Sequence, residues 1–355
     1  MTKSQVITED NDFHGWEEAL SQFPISLRDP YYEKNYVTLD SLKDRTKAAL
    51  FTYESGEHFY LLPFLIHKIE SICGDSLKTP IIDLETAYGY GGPISTTHDH
   101  RFVLEADTAF RNWCNEIGVV AEFLRFHPLL GTHDFAGKDV SVELNRTTYS
   151  ITINSLIPPI ENFRGTARNR VRGAIKNGLH VQELELENGI PQFKHLYLDL
   201  MNQKNASRNY NFSDHYFDGL SLYSPQDMIL LAVNDTHGIL SMGLFLVGPN
   251  GIYYHLGASV NRPSHSGAFN LLMNSAVEFA IKKNLKWIHI GGGLSSDGSD
   301  SLAHFKRTIS NTSHQYYIGK RLHRPEIWRE AHSKLRKYQD KSSIQDKFLE
   351  YHLFP

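Results

Sequence analysis

The chain has 355 residues, 41% of them hydrophobic and 21% charged, with a formal net charge of −4 at pH 7. That length exceeds what one hydrophobic core ordinarily supports, so two domains are expected in a protein of ordinary globular composition. The acidic balance and the lack of a long basic run argue against DNA binding. The two cysteines, Cys73 and Cys114, form neither a disulfide framework nor a metal-ligand spacing, which implies a reducing compartment. No apolar run approaches the ~18–20 residues of a membrane span. Residues 1–12 are polar and acidic, without an apolar signal region, so the expected location is cytoplasmic.

In chain order, residues 15–23 read as a short helix, with Trp16, Ala19 and Leu20 at helical spacing. Residues 31–36 are aromatic and polar, a loop or helix near a ligand surface. Residues 47–53 and 58–67 read as strands around the turn Glu54-Ser55-Gly56-Glu57. Pro63 places the second of them at a sheet edge or a bulge. The stretch 81–94 holds the glycine-aromatic loop Tyr88-Gly89-Tyr90-Gly91-Gly92-Pro93. An amphipathic helix over 101–117 precedes a strand over 119–126, which ends at His127-Pro128, and further strand over 141–153. The segment 154–162, with Pro158-Pro159, is the expected domain boundary.

Beyond it, 163–177 reads as a basic helix stopped by Gly178. A strand over 180–186, helices over 189–205 and 214–222, and strands over 228–233, 238–247 and 251–259 follow. The helix over 268–283 has an apolar face of Leu271, Leu272, Ala276, Phe279 and Ala280. A strand over 286–290 runs into Gly291-Gly292-Gly293, and a last strand covers 314–322. Residues 325–346 read as a charged amphipathic helix, too late for the second sheet and expected to fold back on the first domain. The fold class is thus α/β (α+β), with domains 1–155 and 160–324 and a helical tail 325–355. Glycines after a strand let a ligand approach the backbone, and a following lysine, Lys306, can meet an anionic group there. The alternative is a flexible turn with Lys306 in solvent.

Several local patterns are similar to those of one family. They are Ala87-Tyr88-Gly89-Tyr90-Gly91-Gly92-Pro93, Arg125-Phe126-His127-Pro128-Leu129, the basic helix from Arg168 to Gly178, Tyr253-Tyr254-His255-Leu256-Gly257-Ala258, His289-Ile290-Gly291-Gly292-Gly293 and Phe305-Lys306. In this order they resemble the Fem-type branch of the GNAT-fold acyltransferases. The resemblance implies two GNAT-like domains, each a mixed central sheet flanked by helices, with a cleft between them. Two departures stand out. The Gly-rich pyrophosphate loop that acetyl-CoA-using GNAT enzymes carry before their main helix is here Asn261-Arg262-Pro263-Ser264-His265-Ser266-Gly267-Ala268, with a single glycine. The long helical arm of some tRNA-dependent members is missing.

The chemistry implied is attack of an amine on a thioester or ester carbonyl, which needs a base, an oxyanion contact and a proton for the leaving group. Lys306 is the expected anion or oxyanion contact. His127 is a base or substrate contact, or a structural cap of its strand. His289 is a second candidate base, or a packed core histidine. Tyr254 is a general acid or core packing, and since side chains alternate along a strand, only one of Tyr254 and His255 faces the cleft. Tyr88 and Tyr90 are expected to stack on a nucleotide base or sugar. Arg125, Arg168 and Arg172 are expected to bind phosphates, the two helix arginines alternatively forming a solvated face. Gly267 and Ala268 offer helix N-terminal amides to a phosphate. Asp297 and Asp300 orient an ammonium or cap the next helix. Asn209 and Phe305 are substrate contacts by resemblance.

The function expected is transfer of an acyl group from acyl-CoA, as co-substrate, to the amine of a nucleotide-linked amino sugar for surface polysaccharide, with no metal. The first alternative is an aminoacyl-tRNA-dependent transferase acting on a peptidoglycan precursor, which the acidic net charge disfavours. The second, suggested by the single-glycine loop, is a non-catalytic binding protein.

Overall fold

Residues 2–12, 14–44, 46–204, 212–260, 266–338 and 348–354 are described by the computed structural model. The chain forms two units, Met1–Leu144 with Tyr317–Pro355, and Asn145–Tyr316. The Pro158-Pro159 segment lies within the second unit. There it is a built corner rather than a linker: Asn162 caps it, accepting from the Asn154 N–H at 2.7 Å and donating to the Pro159 carbonyl at 3.2 Å.

The first unit opens with a strand that its polar sequence concealed. β1 (Thr2–Thr8) buries only Ile7 fully. Helix α1 (Gly15–Ser21) follows, with Trp16 and Leu20 buried, then α2 (Lys34–Asp44). β2 (Lys47–Ser55) pairs antiparallel with β1 and with β3 (His58–Ile72), through a turn at Gly56 with φ of 64°. β3 pairs on its other side with β4 (Asp75–Glu85) from Leu65 onward and with β5 (Ile94–Ser95) at Tyr60 and Leu61. Pro63, which has no amide hydrogen, falls between those two pairings, so an interior strand tolerates it at a local gap. Helix α3 (His100–Ile117) is capped by Asp99 and stopped by Gly118 in the left-handed region. It buries Phe102, Val103, Ala106, Phe110 and Cys114 against this sheet. β6 (Val119–Arg125) then runs parallel to β4.

In the second unit the strands take the order β7 (Ser141–Thr152), β12, β11, β10, β9, β8. The chain reaches them through α4 (Gly165–Lys176), β8 (His180–Leu184), α5 (Leu186–Gln203), α6 (Asp214–Ser221), β9 (Met228–Asp235), β10 (Gly238–Val247), β11 (Gly251–Ser259), α7 (Ala268–Lys282), β12 (Trp287–Gly292) and α8 (Ser301–Ile309). All pairs are antiparallel except β11 with β12. Helix α7 covers the sheet with Leu271, Leu272, Ala276, Val277 and Ala280, while Phe279 is only partly buried.

β13 (Thr312–Leu322) carries the chain back to the first unit, where Ile318 to Leu322 pair antiparallel with Arg125 to Ala121 of β6. Its Arg321 is buried between Glu122, at 2.7 Å, and Asp107, at 2.6 Å. Helix α9 (Pro325–Tyr338) sets Ala331 and Leu335 against Ile69, Ile72, Ile81 and Val120. The rest of the helix expected over 325–346 lies outside the described residues. Residues Glu350–Leu353 form a final short turn, from which the Tyr351 hydroxyl donates to Asp83 at 2.6 Å. No helix among the described residues is long and apolar enough to cross a membrane.

Candidate functional site

In the Asn145–Tyr316 unit, β11 and β12 pair for only three positions, from Gly251 with Trp287 to Tyr253 with His289. Both strands run on, so they part at their carboxyl ends. A shift of register between Leu244 and Phe245 on β10 adds a bulge at His255, which helps to turn β11. Such a parting of parallel strands is where α/β sheets commonly bind ligands. His289 stands at the last paired position, 1% exposed, with its ring 5.7 Å from that of Tyr253 and 6.2 Å from that of His314.

The glycines after β12 are set by close packing. A Cβ on Gly293 would lie 2.4 Å from Asp300 Oδ2. Asp300 needs that approach, because its carboxylate organises the whole corner. Oδ1 accepts the Leu302 and Ala303 amides of α8, and Oδ2 accepts the Leu294 and Ser295 amides, all at 3.0 Å, and the Ser295 hydroxyl at 2.9 Å. Led by the Ala303 amide, these bonds hold its carboxyl well below the usual range. Asp297 accepts from Ser299, amide first, which lowers its pKa to about 2. Asp300 therefore caps α8, one of the two roles expected for it, while Asp297 closes a turn within the loop and caps no helix.

Lys306 is not solvated. It is 8% exposed, and its Nζ donates to the Gly292 carbonyl at 2.8 Å. Burial lowers its pKa to about 8, with Asp300 opposing the shift and Arg146 assisting it. A lysine ammonium so placed can donate to a developing oxyanion and also exchange a proton near neutrality. Next to it, Phe305 packs edge-on to Phe269 at 5.2 Å, and Phe269 edge-on to Tyr254 at 5.3 Å. This aromatic row joins α8, α7 and β11. Burial raises the Tyr254 phenol. A Cβ on Gly257 would sit 1.5 Å from the Tyr254 oxygen, so the phenol lies directly over that backbone. His255 is turned away: it is buried, meets the Tyr216 hydroxyl at 2.7 Å, and burial lowers its pKa to about 3.

The expected phosphate contacts fare differently. Gly267 caps α7 with φ of 83°, and a Cβ there would lie 2.7 Å from the Arg170 carbonyl. Ala268 is fully buried. This turn is pressed on α4 rather than open to a ligand. Residues 261–265 and Asn209 lie outside the described residues. Arg168 and Arg172 both pair with Glu161, the latter at 3.3 Å. Sequence reading missed a different basic feature. An open cavity of about 430 Å³ is lined by Arg164, Thr166, His304, Arg307 and Thr308. Its signal was the spacing of His304, Arg307 and Thr308 on the face of α8 away from Lys306.

The first unit gathers the remaining candidates. Tyr90 lies edge-on to Tyr31 at 5.4 Å and to His127 at 5.8 Å, and Tyr31 edge-on to Tyr36 at 4.9 Å. The backbone of Tyr88 is held at both ends, its amide by Asp40 at 2.7 Å and its carbonyl by the Tyr36 hydroxyl at 2.6 Å. His127 is fully buried. Its Nδ1 accepts from the Leu129 and Leu130 amides, at 3.2 and 3.1 Å, and its Nε2 lies 3.4 Å from Asp29. That geometry fits the structural cap rather than the base. Arg125 spends its guanidinium on Glu85, at 2.8 Å, and the Thr86 carbonyl, at 2.6 Å, instead of an open phosphate site. Tyr31 belongs to the stretch 31–36 expected near a ligand surface, whereas Asp29 and Asp40 were not anticipated, although Asp29-Pro30 is a turn signal whose carboxylate caps Tyr31.

No family model and no curated protein sequence matches the chain. Solved structures do. FemX superposes with a TM-score of 0.68 at 13% identity, over 92% of this chain and 99% of that one. L-PGS from Bacillus licheniformis gives 0.52 at 13% identity, over 87% and 92%. A tandem GNAT protein from the clavulanic acid biosynthesis pathway gives 0.50 at 9% identity, over 91% and 100%. The order of elements, the mixed sheets and these superpositions agree: the chain has the Fem-type fold of two GNAT-like domains.

Proposed function

We propose that the chain is an acyltransferase that moves an aminoacyl group from an ester donor to an amine, with its reaction centre around Lys306. The observation that carries this is the buried lysine itself, its Nζ on the Gly292 carbonyl beside the parting of β11 and β12 and its pKa lowered by burial to about 8. As the amine attacks the ester carbonyl, the Lys306 ammonium donates a hydrogen bond to the forming oxyanion. The C–N bond forms and the C–O bond breaks. The leaving oxygen takes a proton from Lys306, which recovers one from the attacking amine. The likeness to FemX and to L-PGS, together with the Fem-type motifs, supports an aminoacyl-tRNA donor and a peptidoglycan-precursor acceptor. The cavity of Arg164, His304 and Arg307 suits a polyanion, so the net charge of −4 does not count against RNA.

A second reading keeps acyl-CoA as donor and a nucleotide-linked amino sugar as acceptor. It is favoured by the partly exposed ring of Tyr90, backed edge-on by buried Tyr31, which suits stacking on a nucleotide, and by the likeness to a tandem GNAT protein. The test is to give the protein labelled aminoacyl-tRNAs or a panel of acyl-CoAs, each with peptidoglycan precursors and nucleotide amino sugars. Label transfer from tRNA, falling steeply with salt, is the expected result. Thiol release with an amino sugar, and none from tRNA, establishes the second reading instead. No transfer with either donor leaves a binding protein.

A further inference from the structure

The first unit brings three side chains from distant parts of the sequence to one point. His67 projects from β3, Glu85 ends β4, and His352 sits in the final turn. The β3–β4 register sets His67 opposite Asp83, two residues before Glu85 on the same face. One ligand atom from each of His67, Glu85 and His352 lies within 4.8 Å of the other two. His67 Nε2 is 2.9 Å from Glu85 Oε1, and the two imidazoles lean on each other with centroids 4.6 Å apart. His352 Nε2 is 2.8 Å from Asp83 Oδ2.

We propose that His67, Glu85 and His352 form a site for a divalent transition-metal ion of the zinc class, which clasps the chain's last turn onto the β3–β4 hairpin. Two imidazoles and one carboxylate are a ligand set suited to zinc, copper or nickel and unsuited to magnesium or calcium. Arg125 holds Glu85 Oε2 at 2.8 Å, which leaves Oε1 as the single coordinating oxygen. Each imidazole gives its Nε2 lone pair and keeps its proton on Nδ1, so a proton held at Nε2 is released or moves. Asp83 gives up His352 and keeps the Tyr351 hydroxyl and the Ala121 amide. Three protein ligands leave the fourth position to water. The ligands come from β3, β4 and the chain end, so no short motif announces them.

The test is titration of chelator-treated full-length protein with Co²⁺ and Zn²⁺. The expected result is one Co²⁺ per chain, with the strong visible absorption of a four-coordinate ion, displaced by Zn²⁺. His352→Gln and His67→Gln should each weaken binding by roughly 100-fold or more. His195→Gln should leave it unchanged, since that histidine is 83% exposed. Zinc should also slow carboxypeptidase digestion of wild type but not of His352→Gln. If His67→Gln fails to fold, the wild-type titration and His352→Gln still decide. Absence of stoichiometric binding, or a Co²⁺ signal that survives His352→Gln, overturns the proposal and leaves the cluster as a hydrogen-bonded anchor.

Discussion

Lys306 Nζ donates to the carbonyl of Gly292 at 2.8 Å, tying the buried face of α8 to the end of β12. The ammonium is held where burial disfavours its charge, and its pKa falls to about 8. Lys306→Met should therefore lower kcat by ~10²–10³, the usual cost of losing an oxyanion donor. Stability should move the other way. The folded pKa lies below the unfolded value of 10.5, so the unfolded chain binds more protons between about pH 8 and 10.5. Wild-type stability should rise with pH across that window, and Lys306→Met should remove the rise and be more stable at neutral pH. A less stable variant with unchanged kcat would refute both halves.

Asp300 receives amides from both sides of the glycine corner, so Asp300→Ala should loosen the approach to Lys306. The expected loss in Tm is roughly 2–4 °C, with a larger relative drop in kcat than in substrate affinity. Its carboxyl is depressed in the folded state, so this contribution is complete above the unfolded pKa of 3.8 and lost as pH falls through the folded value. Acid titration of both proteins by circular dichroism should show the two curves converging below about pH 4.

The helices and strands with strong periodicity, such as α3, α7 and β9 to β11, were legible because apolar spacing and turn residues agree there. β1 was not, because its exposed face is polar and its buried one is short. The corner at Pro158-Pro159 read as a linker because prolines mark corners and linkers alike. In the corner after β12, the Asp300 cap of α8 and the place of Lys306 behind the glycines were legible from the sequence. The partners that bury His127 and Arg125 were not, since Asp29 and Glu85 reach them only through the tertiary fold. A net charge likewise hides where the arginines gather.

His127→Ala removes the ring that receives two backbone amides and faces buried Asp29. Leaving the Leu129 and Leu130 amides without that acceptor, and Asp29 with its Tyr31 amide but not the ring, should cost about 2–4 kcal/mol of stability. The pH profile of kcat/KM should keep its shape, because a ring so enclosed does not meet the amine. Loss of an ionisation from that profile, in a folded variant, would return His127 to the role of base.

Arg164 and Arg307 line the open cavity on the outer side of α8. If a tRNA donor lies there, Arg164→Ala and Arg307→Ala should each lower donor affinity and reduce the slope of log Kobs against log salt by about 1. Acceptor KM should not change. An unaltered salt slope in the double variant would remove the cavity from the donor path.

The phenol of Tyr254 rests on the backbone of Gly257, and that contact separates two roles for the ring. Gly257→Ala places a methyl group 1.5 Å from the present position of the hydroxyl oxygen, so the ring must move. Displacing a packed ring costs about 1–3 kcal/mol. Tyr254→Phe removes only the oxygen and keeps the row with Phe269 and Phe305. If Tyr254 only packs, Gly257→Ala should lower stability and kcat through the disturbed row, while Tyr254→Phe keeps kcat within about threefold. If the hydroxyl protonates the leaving group, Tyr254→Phe alone should lower kcat by ~10²-fold at unchanged stability. The raised phenol favours the packing role for an ester donor, because in the proposed mechanism the leaving oxygen takes its proton from Lys306, the stronger acid of the two. The expected outcome is therefore a destabilised Gly257→Ala and a Tyr254→Phe near wild type, read from Tm and single-turnover rates on the same preparations.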